Sequence, residues 1–164
     1  MTGRSPATLA GMRTLLLTLG LLICSSTATA QLIGKVVGVH DGDTLTLRTA
    51  ADTIKVRLAG IDAPELGQPF GKNAKQALSA LVFGKMVIVV AQGEDRYDRT
   101  LGDVVIAGGR VTVALVAGGM AWQYRQYDKS PELAAAEAEA RAARRGLWAD
   151  PNPIPPWEWR RQGR

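Results

Sequence analysis

The chain is 164 residues long, carries a formal charge of +5 at neutral pH and contains one cysteine. This length suits a single domain, and a lone cysteine excludes a disulfide framework. The mild basic excess is compatible with a polyanionic partner without demanding one.

The first thirty residues read apart from the rest. Arg4 and Arg13 precede an apolar run over residues 15–23, and Ala28-Thr29-Ala30 supplies a small-x-small cleavage pattern. The run is about half of the ~20 residues a transmembrane helix needs. Residues 1–30 are therefore expected to be a cleaved secretory signal, leaving no membrane anchor. Met12 serves as an alternative start to Met1, since Arg13 and the leucines form a short signal by themselves. Cys24 lies in this segment. Lipidation there would need a small preceding residue, and Ile23 is not small. The mature protein is expected to be exported, periplasmic or released, and to be stabilised by its core alone.

Beyond Ala30, strand signals dominate. Residues 33–39 are rich in β-branched side chains, and Asp41-Gly42 marks a turn. Residues 44–49 alternate, with Leu45 and Leu47 on one face. Residues 53–60 alternate again, with Ile54, Val56 and Leu58 on one face and Arg57 on the other. This predicts an antiparallel meander of three strands. A helix follows, because Phe70, Ala74, Ala77, Leu78 and Leu81 recur at helical spacing behind Pro69. Residues 86–90 read as a buried strand and 101–106 as a fifth. Residues 111–117 have the composition of a strand and the length of two helical turns, and both readings stay open. A last helix is expected from Pro131 to about Arg145. Ser130 would cap it, Glu132 and Arg141 would suit its two ends, and Gly146 would stop it. The proline-rich tail, residues 151–159, is expected to be extended. Five strands, with a helix after the third and another at the end, give the order of an OB-fold barrel with added helices, an α+β arrangement. The expected organisation is a signal over 1–30, one barrel domain over 31–148 and a Pro/Trp-rich tail over 149–164.

Three short stretches hold the chemistry: Asp41-Gly42-Asp43-Thr44, residues 57–65, and Asp95-Arg96-Tyr97-Asp98-Arg99. Asp43 opens the second predicted strand and Asp62 follows the third. If those strands are antiparallel neighbours, the two carboxylates meet at one rim of the barrel. There they repel unless a proton or a cation lies between them. Hard oxygen ligands without histidine or cysteine suit Ca²⁺ or Mg²⁺ rather than zinc, and a backbone carbonyl and water would have to complete the shell. Judged singly, Asp41 and Asp43 also fit turn positions. Arg57 and Arg99 offer planar donor forks for phosphate oxygens and for the charge of a five-coordinate transition state. The competing account is a surface ion pair, such as Arg99 with Asp95 or Asp98. Glu65, stiffened by Pro64, can take a proton from water or orient it; the plainer account is an exposed glutamate. Tyr97, Tyr124 and Tyr127 are candidates for stacking on bases, although Tyr124 and Tyr127 suit packing equally well. Trp122, Trp148, Trp157 and Trp159 are expected to pack the tail on the barrel, and His40 to be a bystander.

Three blocks resemble the signatures of the staphylococcal nuclease (thermonuclease) family in order and spacing. They are Val39-His40-Asp41-Gly42-Asp43-Thr44, then Val56-Arg57-Leu58 with Ile61-Asp62-Ala63-Pro64-Glu65, then Asp95-Arg96-Tyr97-Asp98-Arg99. The resemblance covers about residues 33 to 148. It implies an OB-type barrel, a Ca²⁺ ion, and hydrolysis of DNA or RNA at the 5′ P–O bond to leave 3′-phosphates. By position, Asp43 and Asp62 resemble the metal-binding aspartates, and Ala63 stands where a threonine lends its backbone carbonyl. Glu65 falls on the general base, Arg57 and Arg99 on the phosphate-binding arginines, and Tyr97 on a contact near the scissile phosphate. Asp98 stands where a glycine is common, which implies a differently shaped loop. Retention of all five side chains argues against one rival, an OB module that binds nucleic acid without cutting it; another, an envelope-associated structural domain that Ca²⁺ merely stabilises, stays open. The expected substrate is single-stranded DNA or RNA, and the expected state is a monomer.

Overall fold

The computed structural model describes residues 30–163. The expected signal up to Thr29, with Cys24 and Met12, lies outside them. β1 (Gln31–Val39), β2 (Thr44–Arg48) and β3 (Thr53–Leu58) form the predicted antiparallel meander. The two-residue strand β4 (Ile61–Asp62) comes next, then α1 (Gly71–Val82), β5 (Met86–Glu94) and β6 (Thr100–Ile106). β1 pairs with β5 and β5 with β6, both antiparallel, while β6 runs parallel to β3 with Val56 opposite Thr100. That last pairing closes five strands, in the order β3-β2-β1-β5-β6, into a mixed barrel of the OB type. Register slips between Val36 and Gly38, and between Ala91 and Gly93, bend the two longest strands as closure requires.

The period-two pattern of the strands sets the core. Val36, Leu45, Leu47, Val56, Leu58 and Val89 are fully buried inside the barrel. α1 adds Ala74, Leu78 and Val82, and α3 (Pro131–Ala142) adds Leu133. Each large aliphatic side chain buried this way contributes about 1.5–3 kcal/mol.

The open reading at residues 111–117 resolves as helix. A short strand β7 (Gly109–Arg110) pairs with β6, and α2 (Val111–Ala117) follows. β3 takes residues 100–102 of that edge of β6 and β7 takes 105–106, so a strand continued past Arg110 would find only residues 103–104 of it. Coiling instead lets Val111, Leu115 and Val116 reach the core from one helical face. β8 (Trp122–Gln123) then pairs with β4.

Three expectations need correcting. Ser130 stands at the start of α3 but does not cap it, because its hydroxyl bonds the Asp128 carboxylate at 2.6 Å instead. α3 ends at Ala142, earlier than expected, as Arg144 and Gly146 both take left-handed backbone angles. The tail is not extended throughout. A 3₁₀ turn (Gly146–Ala149) and a last helix, α4 (Pro156–Arg161), bracket the proline stretch. Pro156 at the first helical position carries the φ angle a helix needs.

Candidate active site

The β2–β3 hairpin brings the first two side chains together. Thr44 lies opposite Arg57, and the Leu58 N–H donates to the Asp43 carbonyl at 2.8 Å. Asp43 therefore sits beside Arg57 by register alone. Its loop approaches the next segment closely: a Cβ on Gly42 would fall 2.6 Å from the methyls of both Ala63 and Ala74. Without a side chain at 42, the Ala63 N–H reaches Asp43 Oδ2 at 3.1 Å. Asp62 is placed by β4, which is held against Trp122 of β8.

Arg57 Nη2 then donates to both carboxylates, to Asp43 Oδ2 at 3.2 Å and to Asp62 Oδ1 at 2.9 Å. Both aspartates are buried. Burial pushes the Asp43 carboxyl up to about 7, with Asp41 and Asp62 adding to the rise while Arg57 and the Ala63 N–H oppose it.

Glu65 is held by its backbone. The Gln68 N–H donates to the Glu65 carbonyl at 2.8 Å, and Gln68 Oε1 accepts from the Glu65 N–H at 3.2 Å. A Cβ at Gly71 would fall 1.8 Å from the same Glu65 carbonyl, so the turn can fold onto the start of α1 only because residue 71 is glycine.

Arg99 is paired with Asp95 through Nε at 2.8 Å and Nη2 at 2.6 Å, and its Nη1 reaches Thr44 Oγ1 at 3.4 Å. The ion pair weighed against a phosphate role thus exists. It also aims the guanidinium at the rim. Burial works against the Asp95 charge, but the bonds from Arg99 and Tyr97 hold its carboxyl below the usual range. Asp98 takes φ 56°, the left-handed angle that glycine favours and aspartate tolerates. The loop keeps a glycine-like backbone at this position.

Asp43, Asp62, Glu65, Arg57 and Arg99 all line one cleft of about 710 Å³. Tyr97, Tyr124 and Tyr127 line it as well. Tyr97 is exposed, with Arg96 and Arg99 each 5.4 Å from its ring centre. Tyr124 lies flat against Trp157 at 5.1 Å and meets Tyr127 edge-on at 4.8 Å. His40 stands apart and pairs with Thr46 at 2.7 Å.

The donor set fits a hard cation. Two buried carboxylates converge, and one oxygen of each lies within 3.2 Å of a single nitrogen. Among the described residues no three acidic, histidine or cysteine side chains converge as a metal shell. Asp43 and Asp62 would therefore need the backbone carbonyl and water that the sequence already called for.

Three neighbours escaped the sequence reading: Arg160, Gln68 and Glu137. Arg160 bonds Asp62 and Glu65, which raises its guanidinium above its usual value. The signal was present, since Trp157 and Arg160 are three apart and share a helical face, but only if the tail is read as helix. Glu137, fully buried, accepts from the Gln123 N–H of β8 at 2.7 Å and from Arg141 at 2.8 Å.

The structure is a five-stranded OB-type barrel whose rim pairs carboxylates with guanidiniums, the donor chemistry that suits phosphate. The family described as staphylococcal nuclease homologue matches residues 55–150. "Protein ParB" of Escherichia coli is 43% identical over 155 residues, covering 88% of each chain. A protein of Haemophilus influenzae named "Uncharacterized endonuclease" is 49% identical over 129 residues, 78% of this chain and 72% of its own. "Micrococcal nuclease" of Shigella flexneri is 46% identical over 151 residues, 85% of this chain and 87% of its own. The chain belongs to the staphylococcal nuclease family and is, as such, a nuclease: a hydrolase of phosphodiester bonds in nucleic acid.

Proposed function

We propose that the chain is an exported, calcium-dependent nuclease that cleaves single-stranded DNA or RNA as a monomer and leaves 3′-phosphate ends. The observation that carries this reading is the convergence of Asp43 and Asp62 on Arg57 in a cleft that also receives Glu65 and Arg99. Calcium held by Asp43, Asp62, the Ala63 carbonyl and water would supply Lewis-acid polarisation of a phosphoryl oxygen. Arg57 and Arg99 hold the other phosphate oxygens, and their forks oppose the charge that grows as the fifth bond forms. Glu65 takes the proton of the attacking water or orients that water, from a turn that Gln68 keeps in place. Tyr97, beside Arg99, and the Tyr124–Tyr127 pair offer ring faces to unstacked bases, which favours single strands. Export rests on the leader pattern in residues 1–30.

The test is digestion of single-stranded DNA and RNA across a series of divalent cations, with the product ends identified. The expected result is cleavage that calcium supports, chelator abolishes and that yields 3′-phosphates. Binding without cleavage in calcium would overturn the reading.

A further inference from the structure

Arg160 lies on α4, beyond the stretch that the family matches. Its Nη2 donates to Asp62 Oδ2 at 2.7 Å, and its Nη1 reaches Asp62 Oδ1 at 3.3 Å and Glu65 Oε1 at 2.7 Å. Arg57 holds Asp62 Oδ1 from the other side. Guanidinium groups thus claim both oxygens of Asp62 and one of Glu65.

The helix that carries Arg160 is docked on purpose-built contacts. Pro156 is buried, Trp157 stacks flat on Tyr124 and meets Trp122 edge-on, and Gln68 donates to the Ile154 carbonyl. Gln68 also braces Glu65, so one side chain ties the turn of Glu65 to the segment that delivers Arg160.

A divalent cation binds carboxylate oxygens at about 2.3–2.6 Å. A guanidinium fixed on the same Asp62 oxygens leaves two like-charged groups only a few ångströms apart in a half-buried cleft, where repulsion is strong. One of the arginines must give way. Arg57 is the poorer candidate: its side chain is 16% exposed and it is tied to Asp43 and the Ile61 carbonyl as well. The Arg160 side chain is 43% exposed and reaches in from a six-residue helix.

We propose that Arg160 is a tethered competitor for the cation site: a latch that pairs Asp62 with Glu65 and must swing off Asp62 before a divalent cation can bind there. This rests on the cation reading of Asp43 and Asp62. The latch lowers cation affinity and, in return, bound cation weakens the latch, because coupling between two sites is reciprocal. Trp157, by seating α4 on Tyr124, sets how firmly the latch is held.

The test is calorimetric titration of the full chain with Ca²⁺, without nucleic acid, for wild type, R160Q and W157A. R160Q is expected to bind Ca²⁺ on the order of tenfold more tightly than wild type, within the range common for coupled sites. W157A, which leaves every carboxylate intact, is expected to tighten binding by a smaller factor. A second reading comes from melting: Ca²⁺ should raise the Tm of R160Q more than that of wild type. Equal or weaker Ca²⁺ binding by both variants would overturn the latch while the cation reading stood. Binding by none of the three proteins would overturn the cation reading and the latch with it.

Discussion

Arg57 and Asp62 are five residues apart in the chain and joined by a 2.9 Å bond across the turn between β3 and β4. The same nitrogen reaches Asp43 at 3.2 Å. One guanidinium therefore serves two buried carboxylates, one from the turn before β2 and one from β4, and it lines the cleft in which phosphate is expected.

Substituting Arg57 separates the two roles. Arg57→Ala removes the counter-ion that Asp43 and Asp62 share and should lower stability, by less than the ~3–5 kcal/mol of a wholly uncompensated buried charge, because Arg160 still holds Asp62. Arg57→Lys keeps the charge but loses the planar fork. It should retain most of the stability and still lose about a hundredfold in turnover, the scale of one oxyanion donor. Urea denaturation and the rate on single-stranded DNA measure the two effects. Wild-type turnover by Arg57→Lys would remove the phosphate assignment.

Glu65 offers a second catalytic probe: its turn is held by Gln68, and its side chain, 41% exposed, makes one surface ion pair among the described residues, with Arg160. Glu65→Gln keeps the size and the backbone contacts. It should lower turnover by about 10²–10⁴-fold, the range of general acid–base catalysis, with Tm near that of wild type. An active Glu65→Gln enzyme would show that this carboxylate neither takes nor orients the proton.

The site was legible in the sequence where local rules apply. Alternation in residues 44–49 and 53–60 put Leu45, Leu47, Val56 and Leu58 inside and Arg57 outside, and hairpin register then brought Asp43 beside Arg57. What escaped depends on long-range contact. Residues 111–117 became a helix because β3 and β7 leave little of that edge of β6 free, and no local pattern announces the parallel pairing of β3 with β6. Arg160 is 98 residues from Asp62, and its place depends on a Trp157–Tyr124 stack between two segments whose sequences do not show their meeting. Proline richness suggested an extended tail and hid the helix that Pro156 starts.

Glu137 tests how the scaffold supports the site. It is 1% exposed, and its carboxylate accepts from the Gln123 N–H and from Arg141. Gln123 belongs to β8, which pairs with the strand of Asp62. Glu137→Ala strands a buried N–H and takes from Arg141 its carboxylate partner, leaving it over the Trp122 and Trp148 rings, which should lower stability by about 3 kcal/mol. Since β8 holds β4, turnover should fall as well, without any change in the groups proposed to contact phosphate. Calorimetric melting and the rate at a temperature well below Tm measure both. An unchanged Tm would mean that water replaces the carboxylate at no loss.

Asp43 sets the dependence on pH. Its carboxyl rises from 3.8 to about 7 in the fold, chiefly through burial. Between those values the folded protein binds more protons than the unfolded chain, so stability falls as pH increases. The favourable contribution is complete below about pH 4 and is lost as pH passes 7. Asp43→Asn removes the charge and keeps an acceptor for the Ala63 N–H. It should therefore melt higher than wild type at pH 8, by roughly 2–4 °C for each kcal/mol relieved, and show little difference at pH 4. Cation binding runs the other way, because it needs the ionised carboxylate. Calcium affinity of the wild type should weaken as pH drops below about 7, with uptake of the metal releasing a proton. Melting curves of both proteins at pH 4 and pH 8, with calcium titrations of the wild type in buffers of differing ionisation heat, measure the two trends. An Asp43→Asn protein that melts lower than wild type at pH 8 would mean that Arg57 and a bound cation, rather than burial, govern this carboxylate.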